Sequence, residues 1–170
     1  MLGRKDYTTE ELNQARAAVA DQLAAYQHLV KAIGNAPQNV EAQAALAAFE
    51  QVFCSNMVLA LDRRFVHRFR SVTGKDGNPL NEVELLADSM MDNDGELRGN
   101  SVIKFVPGES VLGLNIGDRI SLTAADFERL ATAFLDEIDR KFVRSLESRT
   151  PTVPGRSRAT STQSAPPLPL

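Results

Sequence analysis

Apolar residues recur along the first seventy positions at intervals of three and four. Leu12, Val19, Tyr26 and Ile33, with Ala15, Leu23 and Val30 beside them, make one stripe. That spacing belongs to a helix face and not to a strand. In "TTEEL" at its start, Thr8 and Glu11 stand three apart, where a hydroxyl and a carboxylate can satisfy each other's exposed amides. Gly34 closes the stripe. After "NAPQN" a second stripe runs Leu46, Phe49, Phe53, Met57, Leu61, Phe65 and Phe69. It predicts a helix from near Val40 to the "SVTG" before Lys75, about 30 residues and roughly 45 Å long. A helix of that length needs a partner along much of itself. The alanine-rich stretches 15–25 and 42–48 permit close approach, so the two helices are expected to pair as an antiparallel hairpin.

"GKDGNP" is turn chemistry: Gly74 and Gly77 can take positive φ, Asn78 can cap, and Pro79 brings a preset φ to the next helix. A third helix is expected from about Pro79 to Met91, closed by "DNDG". From Ser101 the period changes. "SVIKFV", "VLGLNI" and "RISLT" are short β-rich runs set between Pro/Gly turns, a pattern that predicts a small antiparallel meander. Thr123 and Asp126 repeat the capping spacing and open a last helix with Phe127, Leu130, Phe134, Leu135, Ile138 and Phe142 on one side. The fold class expected is therefore α+β and mostly α: a long antiparallel helical hairpin, a short helix, a small β meander and a packed C-terminal helix.

Length and composition set the bounds. The chain has 170 residues and is 43% hydrophobic, enough for one core. Residues 1–147 are expected to form a single domain. The segment 148–170 is rich in Pro, Ser, Thr and Arg, cannot offset its ordering entropy by burial, and is expected to be a disordered tail. Two P-x-x-P spacings in it arise readily by chance in such composition. The tail has three arginines and no acid, so the net charge of −3 conceals a domain with 16 basic and 22 acidic residues. An acidic body argues against non-specific coating of nucleic acid. The N-terminus has no apolar core of a signal peptide, and the longest apolar run is far short of a membrane span. A cytoplasmic protein, without a membrane partner, is expected.

Candidate chemistry is sparse. The single cysteine, Cys54, lies within the second apolar stripe and reads as a small buried thiol. Two histidines and one cysteine do not make a transition-metal set, and "DNDG" lacks the terminal carboxylates of a calcium loop. No phosphate loop, dinucleotide fingerprint or nucleophile elbow is present. No catalytic residue, metal site or cofactor is assigned. Two clusters stand out as binding candidates. Arg63, Arg64, His67, Arg68 and Arg70 crowd the end of the second helix, where their charge opposes the helix dipole and could grip phosphate oxygens. Asp76, Asn78, Asn81 and Glu82 crowd the following turn. Seven carboxylates from Asp76 to Glu96 follow the arginines, so the first expectation is an elbow whose cationic and anionic arms neutralise each other. The function expected is a non-enzymatic protein-interaction module that self-associates through its long Ala-rich helices, its partner a second copy or another protein. The second reading is a nucleic-acid or phosphate-binding accessory protein using the arginine-rich helix end.

Overall fold

The computed structural model describes residues 6–34, 39–65 and 73–143. Four α-helices lie within them: α1 (Thr9–Gly34), α2 (Val40–Arg64), α3 (Pro79–Asp92) and α4 (Ala124–Phe142). The rest of the predicted second helix and the expected tail from residue 148 lie outside the described residues.

Each helix begins where local chemistry dictates. At α1 the Thr8 amide donates to Glu11 Oε2 at 2.9 Å, and the Glu11 amide donates back to Thr8 Oγ1 at 3.1 Å. Asn39 caps α2 through the Ala42 amide at 2.9 Å. Asn78 caps α3 by accepting from the amides of Leu80 and Asn81, with Pro79 in the first turn. Thr123 and Asp126 form a reciprocal box at α4. Caps of this kind contribute about 1 kcal/mol each.

The hub of the packing is α4. Its buried residues Phe127, Leu130, Ala131, Phe134, Leu135 and Ile138 lie along one stripe, and the helix touches α1, α2 and α3. Fully burying a Phe or Leu side chain is worth about 1.5–3 kcal/mol, so this stripe supplies a large share of the core. Phe65, at the end of α2, sits edge-on to Phe134 at 5.7 Å and to Tyr7 at 5.2 Å. The Tyr7 amide donates to the Phe142 carbonyl at 3.1 Å, which ties the segment before α1 to the end of α4. Arg16 of α1 meets Asp136 of α4 at 2.7 Å.

The expected hairpin is antiparallel, but its two helices touch sparingly. The first half of α1 leans on α4, where Arg16 meets Asp136, and its distal half meets α2, where Tyr26 stacks on Phe53 at 5.4 Å. The N-terminus of α4 reaches only the level of Glu50, whose carboxylate accepts the Ala124 amide at 2.9 Å. Residues 40–49 therefore extend past it, roughly 15 Å of helix at 1.5 Å per residue.

The β meander is not formed, and the α+β class is corrected to all-helical. Among the described residues there is no strand, only isolated bridges such as Asp76 to Lys104 and Glu96 to Arg119. The reason lies in where the amides go. Asn100 Oδ1 accepts from Val102 and Ile103 at 2.9 and 2.7 Å, and Glu82 accepts from Val111 and Leu112. Amides engaged by side chains cannot donate to a ladder. Gly113 within the middle run and Gly117 just after it, at φ of +70° and +95°, bend the chain out of extension. The apolar residues of 101–123 act as plugs: Ile103 and Leu122 are buried, and Phe105, Val111, Leu112, Leu114 and Ile120 press on the core.

Candidate functional site

The turn before α3 brings together the polar residues that the sequence gathers there, and each acts on backbone. Asn78 Nδ2 donates to the Thr73 carbonyl and to Asp76 Oδ1, at 2.9 and 2.8 Å. The Asn81 side chain, fully buried, donates to the carbonyls of Asp76 and Gly74 at 2.7 and 3.3 Å. Its Oδ1 has no hydrogen-bond partner among the described residues. Glu82 is 2% exposed. Its Oε1 accepts from Ser110 Oγ at 2.9 Å and the Leu112 amide at 3.1 Å, and its Oε2 from the Val111 amide at 2.8 Å. Three donors converge on one carboxylate, so Glu82 holds the 110–112 loop across the N-terminal half of α3. The Lys104 amide donates to the Lys75 carbonyl at 2.7 Å and fastens a second loop to the same turn.

Charge reaches this turn from an unexpected direction. Lys141 of α4 donates to the Thr73 carbonyl at 3.2 Å and pairs with Glu137 at 2.7 Å. Glu137, whose side chain is 12% exposed, also pairs with Arg140 at 2.7 Å. Burial works against the charge on Glu137, but the hydrogen bonds from Arg140 and Lys141 prevail and hold its pKa below the ordinary carboxylate range. The Asp76 carboxyl is likewise lowered, first by its hydrogen bond from Asn78 and further by the nearby charges of Lys141 and Arg140. At Asp76, then, cations reach in from α4, and Glu82 answers to a loop. The i, i+4 pair Glu137–Lys141 was legible as helix spacing. Its proximity to the turn before α3 was not, since it depends on how α4 crosses the domain.

Of the arginine cluster, Arg63 and Arg64 are exposed at the end of α2, and the Arg64 guanidinium lies 5.9 Å from the Phe65 ring centre. His67, Arg68 and Arg70 lie outside the described residues.

The other candidate is the surface of α2. One face, Cys54, Met57, Val58, Leu61 and, just past the helix end, Phe65, is buried. A second row, Ala45, Phe49, Val52, Asn56, Leu59 and Arg63, follows intervals of four, three, four, three and four. At 100° per residue this row lies on the far side of the helix from Cys54 and Leu61. Val52 is 60% and Phe49 46% exposed. Ala45, Asn56 and Arg63 are exposed too, and Leu59 is half-buried. Both rows could be read in the sequence, but the stripe at Leu46, Phe49 and Phe53 mixed them into one. Beside Phe49 an open groove of about 460 Å³ runs between α1 and α2, lined by Tyr26, Val30, Leu46, Ala47 and Glu50 among others. By length and composition α2 is apolar enough to cross a membrane, a test that core helices of soluble proteins also pass.

The reactive groups of the α1–α2 pair are held inert. Burial, then a hydrogen bond from its hydroxyl to Glu50 and the charge of that residue, pushes Tyr26 up to about 12. Burial, followed by the charges of Glu50 and Asp126, pushes the Cys54 thiol up to about 11, far from the thiolate that nucleophilic chemistry needs. Among the described residues no group of three His, Cys, Asp or Glu is placed to hold a metal ion. Comparison with protein-family models, curated proteins and solved structures finds no match for this chain.

Proposed function

We propose that the protein is a non-enzymatic interaction module that self-associates through the α1–α2 hairpin. One observation carries this reading: α2 is apolar on two opposite faces, and the described residues bury one but leave much of the other open, Val52 at 60% and Phe49, stacked along one edge on Tyr26, at 46% exposure. A helix apolar all round is normally enclosed by protein or lipid, and exposed apolar rows on soluble chains mark contact sites. The polar turn before α3 supports the same reading from the other side. Its conspicuous side chains are committed to tying backbone together, so the cluster that most resembles a recognition site already has a structural use.

Sedimentation velocity from micromolar to millimolar concentration tests it. Mass should rise with concentration at neutral pH. A species that stays monomeric throughout would overturn the reading.

A further inference from the structure

The outward row on α2 has a polarity that bears on how two copies meet. Glu41 is exposed near the N-terminus of the helix and Arg63 is exposed near its C-terminus. Between them lie Ala45, Phe49, Val52, Asn56 and Leu59 at heptad spacing, the interval at which one helix keeps facing another over many turns. A two-fold interface must be complementary to itself. A patch that is acidic at one end, basic at the other and apolar between meets that demand only when the second helix runs in the opposite direction.

Resting on the self-association proposed above, we infer that the occupant of this row is the same row of a second copy. The two α2 helices cross antiparallel about Val52, midway between Glu41 and Arg63. In that arrangement each Glu41 approaches the partner copy's Arg63, and Leu59 of one copy packs over the small side chains Ala42 and Ala45 of the other. A parallel pairing would set Arg63 against Arg63, and like charges across an interface oppose association. A bilayer is the less fitting occupant. Glu50 stands near the middle of α2, where an ionised group in hydrocarbon is costly, and its carboxylate is bound to the Ala124 amide.

Two experiments on the full chain test the pairing. In the first, Val52→Glu should weaken dimerisation at least about tenfold while circular dichroism and thermal unfolding of the monomer stay unchanged. Glu41→Arg alone and Arg63→Glu alone should each weaken it, and the double variant Glu41→Arg/Arg63→Glu should recover it. In the second, Glu41→Cys and Arg63→Cys chains are mixed and treated with a short bifunctional maleimide. Cys54 can remain, since it is fully buried. The mixture should give a cross-linked dimer and each variant alone should not. Cross-linking of Arg63→Cys with itself, or dimers indifferent to Val52→Glu, would overturn the inferred surface or direction and leave self-association standing. A strict monomer at all concentrations would remove both. Flotation of the wild-type chain with phosphatidylcholine/phosphatidylglycerol vesicles, lost in Val52→Glu, would replace the second copy with a lipid surface.

Discussion

The helices α4 and α2 are both long and both central to the core, yet they are built on opposite plans. Along α4, Phe127, Leu130, Phe134 and Ile138 are buried on one side, while Glu128, Arg129, Asp136, Asp139 and Arg140 stand in solvent. Every large apolar side chain of that stripe is buried. On α2 the buried side carries Met57 and Leu61, and the solvent side carries Val52, Phe49 and alanines. The first pattern is complete within one chain. The second has a surplus of apolar surface, and that surplus distinguishes a helix serving only the fold from one that also serves an encounter.

The comparison can be broken most severely at Phe134. Replacing it with Ala should cost about 3–5 kcal/mol, because it leaves a cavity beside Phe65 in the middle of the α4 interface. Chemical denaturation of dilute protein would measure it, and a loss below about 1 kcal/mol would mean that α4 is not the organising helix. Next comes Glu82→Ala, expected to cost about 2–3 kcal/mol, since it strands the Val111 and Leu112 amides. Hydrogen exchange should rise at 110–112 before it rises in α4. Thr123→Ala should cost about 1 kcal/mol by opening the α4 cap. At the small end, Val52→Glu should change monomer stability by no more than about 0.5 kcal/mol. A large loss there would show that the outward face of α2 supports the fold after all.

Acid provides a further comparison. Asp76, Asp126 and Glu137 have folded pKa values below their ordinary ones, with Asp126 lowered first by its hydrogen bond from Thr123. Their contribution to stability is present above the unfolded carboxylate pKa and is lost as pH falls through the lowered values. Asp76 and Glu137 cluster at the turn before α3, and Asp126 sits at the start of α4. Unfolding followed from neutral to acidic pH should therefore destabilise these two places first. A stability profile flat to low pH would contradict that division.

Helix starts were legible because each rests on residues close in sequence: Thr8 with Glu11 and Thr123 with Asp126, three apart, and Asn78 next to Pro79. The segment 101–123 was misread for a related reason. Its alternation and β-branched residues are local, but the partners that claim its amides are Asn100 beside it and Glu82 some thirty residues earlier. A strand pattern shows that residues can extend, not that a neighbouring strand exists to receive them. The turn residues Asp76, Asn78, Asn81 and Glu82 were correctly gathered in one place by sequence proximity. Their tasks were hidden, because the loop and the lysine they serve arrive from distant parts of the chain.

The hydrogen bond from Tyr7 to Phe142 makes the first and last described residues of the bundle neighbours. A guest with paired ends can be spliced into a surface loop of a host protein without stretching either scaffold. Tension applied at Asp6 and Val143 would load that contact before the aromatics buried deeper, so mechanical opening should start at Tyr7 and peel inward.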